Sequence, residues 1–398
     1  MLSQRAQTMK PSPTLQLVAK AKEIAAKGND VISLSVGEPD WPTFEAAAQA
    51  GIMAIKEGYS KYTPANGIPE LREAICEQIK KDHGFEYTAV QVTVGTGAKF
   101  ILFAAFQMLC DEGDEVIIPA PYWVSYPVMV ELAQGKSVIV ECGTTTNFKI
   151  TPQLLEKAIT PKTKVFVFAS PNNPTGIAYS KEELKALGEV IKKHPRIVVV
   201  TDDIYNHLMF GACSVAPHIL EGTPELKDRT LIVNGVSKSY AMTGWRIGWA
   251  LGPTPLIKAI ADYQSQATSS ASSISQKAAL VAIKKCDQDI VKANLLLKDR
   301  LDASLKVINS IPLIKAARPD GAFYVWIDIS QTLGKKYDTQ TISSSRDFAS
   351  ILLEKYYVAA VPGIEFGFEG FLRISFAIET ERMLEALNRM KDFIAKLH

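Results

Sequence analysis

Lys238 and Arg246 lie in the stretch Ser237-Lys-Ser-Tyr-Ala-Met-Thr-Gly-Trp-Arg-Ile-Gly-Trp249, and together they could do chemistry. Lys238 follows the apolar run Leu231–Val233 and a short turn. A lysine amine becomes nucleophilic when desolvation or a neighbouring cation depresses its pKa, so Lys238 could hold an aldehyde cofactor as a Schiff base. Arg246 and Ser237 could hold that cofactor's phosphate, because a guanidinium donates two hydrogen bonds at once and stays charged. A lysine near a turn is more commonly a solvated surface charge. The assignment therefore depends on what the rest of the chain brings to the same place.

Other polar residues fall just after apolar runs. Gly95-Thr-Gly-Ala-Lys99 opens a helix, where backbone amides bind phosphate and glycine allows close approach. Lys99 is unusual in a first helical turn, because a cation there opposes the helix dipole. A nearby anion would explain it, and so would a loose turn with the lysine in solvent. Asp202 ends the run Ile197–Val200 and could hydrogen-bond a pyridinium nitrogen, making the ring an electron sink. It could equally cap the following turn. Asn173, in Ser170-Pro-Asn-Asn-Pro-Thr-Gly176, is either a turn residue or an amide fixed by a rigid loop. Trp123 could stack on a flat cofactor or simply pack in the core. Arg373 is a charge inside the apolar strand Phe371-Leu-Arg-Ile-Ser375, so it needs a partner: a substrate carboxylate or a structural salt bridge.

These residues need a scaffold that gathers strand ends. Strand-like runs are expected at Val31–Ser35, Val90–Val94, Val116–Ile118, Val138–Val140, Thr163–Phe168, Ile197–Val200 and Leu231–Val233, and a further apolar run lies at Trp249–Leu251. Helical segments alternate with several of them, including Ile68–Lys81, the apolar segment through Leu109, and Lys181–Lys193. That alternation predicts an α/β fold with a mostly parallel sheet covered on both faces. Ligands of such sheets bind beyond the carboxyl ends of the strands. From about Ser269 the texture changes. A long helical stretch is expected over roughly 276–310, then strands at Ala322–Ile327 and Leu372–Phe376, a polar loop at 331–346 and a helix at 347–356. The expected organisation is an N-terminal arm at 1–14, a large domain at 46–285, and a small domain formed by 15–45 and 286–398.

The 398 residues are 47% hydrophobic and 22% charged, with net charge +2, which gives no bulk surface for nucleic acid or membrane. Five scattered cysteines form no C-x-x-C pair, which fits a reducing, cytoplasmic compartment. No secretory h-region appears in the first fifteen residues, and Phe100–Leu109 is too short to span a bilayer. Five scattered histidines lack metal-ligand spacing, so no metal is expected. The glycine-rich turn fails as a dinucleotide fingerprint: Phe100 stands at the third glycine position, and no ribose-binding acid ends the next strand.

Taken together, the motifs resemble class I aminotransferases, which are fold type I pyridoxal-phosphate (PLP) enzymes, and within them a bacterial aspartate and aspartate/prephenate subgroup. The resemblance runs through Val36-Gly-Glu-Pro-Asp40, Lys61-Tyr-Thr-Pro64, Gly97-Ala-Lys99, Pro121-Tyr-Trp-Val-Ser-Tyr126, Pro171–Gly176, Asp202–Tyr205, Ser237–Arg246 and Gly321-Ala-Phe-Tyr324. It implies a large domain with a mostly parallel seven-stranded sheet between helices, plus a smaller α/β domain. It implies that Lys238 bonds the cofactor and shuttles a proton, and that Asp202 partners the ring nitrogen. Tyr205 and Asn173 would bond the cofactor's phenolic oxygen, and Trp123 would stack on the ring. Gly97, Ala98, Ser237 and Arg246 would form the phosphate cup, with Tyr62 supplied by a neighbouring subunit of a homodimer. Arg373, Asn173 and Gly37 would take the substrate's α-carboxylate, and Lys99 the distal carboxylate of a dicarboxylic substrate. The family's usual Asp-Glu-Ile-Tyr reads Asp202-Asp203-Ile204-Tyr205 here, and the second acid is not a cofactor contact in the family pattern.

The implied reaction is ping-pong transfer of an amino group between an amino acid, aspartate or glutamate foremost, and a 2-oxo acid such as 2-oxoglutarate or oxaloacetate. Prephenate or aromatic amino acids are alternative substrates. A PLP-dependent β-lyase or decarboxylase, a PLP-binding regulator and a nicotinamide dehydrogenase are the rival readings. The regulator would need a DNA-binding domain, and none is expected ahead of the arm. The purified protein is expected to be yellow and bleached by borohydride. A colourless preparation that binds a nicotinamide dinucleotide would instead support the dehydrogenase.

Overall fold

A computed structural model describes residues 1–398 except Gln4, Arg5, Thr8 and Lys10. The expected extended arm over 1–14 thus falls partly outside the described residues, and a helix already begins at Pro13, running to Ala26. Among the described residues no helix is long and apolar enough to cross a membrane.

Strand β1 (Ile32–Ser33) precedes the central sheet. Seven strands form that sheet: β2 (Val92–Gly95), β3 (Glu115–Ala120), β4 (Lys136–Glu141), β5 (Thr163–Ala169), β6 (Val198–Asp202), β7 (Thr230–Gly235) and β8 (Gly248–Leu251). Their order is β2-β8-β7-β6-β5-β3-β4. Pairings from β4 through β3, β5 and β6 to β7 are parallel, and β8 runs antiparallel to both its neighbours.

Successive side chains along a strand point to opposite faces. Val165, Val167, Val200, Leu231 and Val233 enter one apolar cluster, while Phe166, Phe168, Val199 and Ile232 enter the other. Both faces are therefore covered by helices, as near-continuous apolar runs require. Helix Ala98–Leu109 lies on the first face, burying Ile101, Leu102, Ala105 and Phe106.

A second sheet forms from β9 (Lys315–Ala316), β10 (Tyr324–Asp328), β14 (Val361–Pro362) and β15 (Phe371–Ser375), in the antiparallel order β14-β15-β10-β9. Between its members, β11 (Lys336–Tyr337) and β12 (Gln340–Thr341) make a hairpin, so the segment expected as a polar loop is partly ordered by its own ladder. Strand β13 (Val358–Ala359) pairs in parallel with β1, tying the N-terminal segment to this C-terminal unit.

The helical stretch expected over 276–310 is two helices, Ser273–Lys285 and Asp287–Ile308, broken at Cys286. Asp287 and Asp289 favour a new helix start, because acids stabilise the positive end of the dipole. The two also have different partners. The first packs on helix Glu45–Lys56 and the second on the C-terminal helix Thr380–Ile394. The expected strand at Val90–Val94 begins instead with a 3-10 turn, Ala89–Gln91.

At Gly248, a Cβ would overlap the backbone of Gly97 and Ala98, where the helix on the first face begins. Backbone cannot give as a flexible side chain can. Gly248→Ala is expected to lower stability by about 3 kcal/mol or more, the upper range for overpacking, measured by urea unfolding. An unchanged midpoint would show that β8 and this helix start can separate freely.

Candidate active site

Every polar residue singled out beside the large sheet sits at the edge where its parallel strands end. Asp202 closes β6, Asn173 follows β5, Trp123 follows β3, and Lys238 follows β7. Gly97 follows β2 and caps the helix start at φ +91°, a conformation that glycine adopts without strain. Arg246 precedes β8, which runs antiparallel, so it reaches the same edge.

At this edge Lys238 Nζ donates to the Gly37 carbonyl at 2.6 Å. Burial brings its amine down to about 8; Glu38 and Asp202 oppose that shift, while Arg246 and Arg373 add to it. A lysine tuned this way is a nucleophile and proton carrier near neutral pH.

Asp202 is 5% exposed. Its Oδ2 accepts from the Tyr126 hydroxyl at 2.7 Å, while its buried Oδ1 has no partner among the described residues. Burial pushes the carboxyl up to about 6 against the hydrogen bond from Tyr126, the Ile204 amide and the Lys238 charge. A buried oxygen of this kind calls for a donor, ideally a cationic one. The adjacent Asp203 belongs elsewhere. Its Oδ2 lies 3.6 Å from His218 Nε2, which in turn lies 3.1 Å from Thr201 Oγ1. Because His218 Nδ1 accepts the Leu220 amide, the ring carries its proton on Nε2, facing that pair.

On the opposite wall, Arg373 is 3% exposed. Its Nη1 donates to Asn173 Oδ1 at 3.0 Å and its Nη2 to the Ser35 carbonyl at 2.6 Å, while Nε is buried without a partner among the described residues. No carboxylate of the chain pairs with it among the described residues, so the structural salt bridge allowed by the sequence is not formed. The guanidinium rests 4.4 Å from the centre of the Tyr324 ring. Tyr324 shares a 2.8 Å hydrogen bond with Tyr205.

Around the glycine turn, a Cβ on Gly97 would meet Arg246 Nη2 at 2.5 Å. This turn, the amide-bearing start of the helix at Ala98 and the guanidinium therefore form one tight cradle with anion-binding character. Lys99 Nζ stands 4.9 Å over the Trp123 ring, and Trp123 packs edge-on against Tyr126. Ser237 is buried beside Lys238. Tyr62 is not drawn into this set and is 92% exposed.

Two residues with no role assigned from the sequence prove integral: Tyr126, which holds Asp202, and Tyr324, which joins Tyr205 to Arg373. Both close motifs visible in the sequence, but their partners lie far along the chain.

Residues 29–390 match the family described as aminotransferase class I and II. The chain belongs to that family. It is an aminotransferase, moving an amino group between an amino acid and a 2-oxo acid. Relatives of this aminotransferase include proteins named aspartate/prephenate aminotransferase. That of Cereibacter sphaeroides is 47% identical, covering 100% of this chain and 99% of its own. That of Nitrosomonas europaea is 43% identical, covering 99% and 100%. Among solved structures, the aspartate aminotransferase from Rhizobium meliloti superposes with TM-score 0.96 at 41% identity, covering 100% of both chains. That of Thermus thermophilus with maleate gives TM-score 0.92 at 40% identity, covering 99% of both. The fold is accordingly that of PLP-dependent aspartate aminotransferases.

Asp202 also sets a pH dependence in the cofactor-free protein. Its folded carboxyl titrates near 6, above the unfolded value of about 3.9. Between those values the folded state binds more protons, so this group's contribution to stability falls as pH rises from about 4 to 6. His218, held down to about 3 by burial, acts in the opposite sense over the same range. The difference between parent and Asp202→Asn isolates the aspartate. The parent is expected to lose stability relative to the variant as pH rises from 4 to 6 and to stay level above about 7, read from urea midpoints. A constant difference would show that Asp202 is not strained by burial.

Proposed function

We propose that this aminotransferase uses PLP, and that its substrates are dicarboxylic: aspartate or glutamate with 2-oxoglutarate or oxaloacetate. The observation that carries the reading is the unpartnered, buried Asp202 Oδ1 beside a lysine brought down to about 8. A protonated pyridine nitrogen supplies the cationic donor that this oxygen lacks. Bound there, PLP supplies an electron-withdrawing ring that acidifies the substrate's α-proton.

The chain's own residues do the rest. Lys238 Nζ would hold the cofactor and, once the substrate's amine has displaced it, would take and return the α-proton as a free amine. Asp202 holds the ring nitrogen charged, with Tyr126 fixing the other carboxylate oxygen. Tyr205 and Asn173 would hold the phenolic oxygen, and Trp123 would stack on the ring. Gly97, Ala98, Ser237 and Arg246 receive the phosphate. Arg373, Asn173 and Gly37 hold the α-carboxylate, Arg373 offering the planar fork that binds carboxylate best. Lys99 meets the distal carboxylate. The maleate in the Thermus thermophilus structure is itself a dicarboxylate, which favours this choice. Prephenate is the second reading. The relatives' names include it, and Trp123 beside Lys99 offers an apolar face next to a cation.

The same proposal makes the active protein a homodimer. Tyr62 is 92% exposed, and Ile52, Met53 and Ile55 stand exposed on helix Glu45–Lys56, a surface suited to a second copy whose site would receive Tyr62. It divides each chain into an arm at 1–14, a small domain at 15–45 and 286–398, and a large domain at 46–285. The helix break at Cys286 supports the second boundary. It also places the protein in the reducing cytoplasm, which its five unpaired cysteines favour.

Lys238→Ala is expected to retain PLP and lose transamination; full turnover would remove the assignment. Lys99→Gln is expected to raise KM for aspartate and 2-oxoglutarate roughly tenfold to a hundredfold, the loss of one charge-assisted hydrogen bond, and to leave monocarboxylic donors unchanged. A donor panel that includes prephenate as acceptor reads both. Equal losses for all substrates would mean that Lys99 does not select the distal group.

A further inference from the structure

Tyr324 is 1% exposed, and its hydroxyl lies where three parts of the site meet. It shares a 2.8 Å hydrogen bond with the Tyr205 hydroxyl. A Cβ added to Gly37 would come within 2.6 Å of it, so the hydroxyl is packed against the residue whose carbonyl accepts from Lys238. Its ring carries the Arg373 guanidinium at 4.4 Å. The ring itself is fixed: Tyr324 sits opposite Ser375 in the β10–β15 ladder and packs against Phe323 and Tyr205.

We propose that Tyr324 is a positioning residue for the amino-transfer reaction: its hydroxyl donates to Tyr205 and thereby turns the Tyr205 proton outward, toward the cofactor's phenolic oxygen. This rests on the reading that Tyr205 serves that oxygen. Geometry supplies the reason. Each of two phenols in contact can donate or accept, and only one proton can lie between them. If Tyr205 donates to Tyr324, it has no proton left for the site. If Tyr324 donates, Tyr205 keeps its own proton free, and accepting a hydrogen bond strengthens it as a donor. Arg373 above the Tyr324 ring favours the phenol that carries more negative charge in its ring and oxygen. The contact therefore links the carboxylate-binding wall to the group facing the cofactor.

The test uses the PLP-loaded protein and the pH midpoint of its visible absorption band, which a donor to the phenolic oxygen lowers. Tyr324→Phe keeps the ring and removes the hydroxyl. The midpoint is expected to rise by about half a unit to one unit, the worth of one net hydrogen bond. kcat is expected to fall roughly threefold to tenfold, with KM for aspartate within about twofold. In a Tyr205→Phe background the same change is expected to leave the midpoint where it is, an outcome that a merely structural role would not produce. Fluorinated tyrosine at position 324 retains the side chain's shape and strengthens the donor, so it should move the midpoint down even if Tyr324→Phe folds poorly. Equal midpoints in parent and Tyr324→Phe, or an equal shift with and without Tyr205, would overturn the proposal while leaving the PLP assignment standing. A parent protein that binds no PLP would overturn both.

Discussion

An aspartate buried with one oxygen unsatisfied is an unusual thing for a stable protein to carry. Burying a charged carboxylate without full pairing costs several kcal/mol, and folded chains tolerate it chiefly where a ligand completes the set. Asp202 is held at the end of β6 between two parallel neighbours and is gripped through Oδ2 by Tyr126, so it can neither turn to another donor nor reach solvent. The remainder of the site is arranged around that restriction. Lys238 follows the adjacent strand β7, and the amide-rich turn at Gly97 and the guanidinium of Arg246 stand at the same sheet edge. The parallel sheet makes this possible, because it delivers successive loops to one edge.

The second wall depends on a different constraint. Arg373 lies in register with Trp326 on a strand whose neighbours are buried, and its guanidinium is aimed by Asn173 and the Ser35 carbonyl. Those partners come from the central sheet's loop and from the N-terminal segment. The segment is itself threaded onto the C-terminal unit through β1 with β13 and through Ser375 donating to Leu34. Beyond Gly37 the same segment is pinned by Arg300, which pairs with Asp40 through both carboxylate oxygens at 2.7 and 2.9 Å. Such a bidentate, largely desolvated pair fixes orientation as well as position. Arg373 and the carbonyl that receives Lys238 are thus set by chain segments from opposite ends of the sequence.

Much of this was legible in the sequence because the relevant signals are local. Apolar runs ended by Asp202, by the Ser170–Gly176 turn and by the Lys238 turn mark strand ends, and the alternation with helices marks the parallel sheet. The glycine turn at Gly95–Gly97 before a helix start is legible too, although a loose turn is an equal reading of it. Partnerships were not legible. Tyr126 and Asp202 are separated by 76 residues, and Tyr205 and Tyr324 by 119. A tyrosine in an apolar motif looks the same whether it packs or donates. The break at Cys286 was hidden because both flanking segments carry helical patterns, and only their different packing partners divide them. The C-terminal helix Thr380–Ile394 was not among the expected elements, although Met383, Leu387, Met390 and Ile394 recur at helical spacing, and the ordering of 331–346 into a hairpin rests on short polar strands with no apolar period.

Asp202 Oδ1 is the oxygen proposed to receive a cationic ring nitrogen. The direct measurement is the ¹⁵N NMR shift of PLP labelled at the ring nitrogen and bound to the protein, compared with the same label bound to Asp202→Asn. A shift in the pyridinium range in the parent, moving to the neutral pyridine range in the variant, is the expected result. A neutral ring nitrogen in the parent, or a shift indifferent to the substitution, would contradict it.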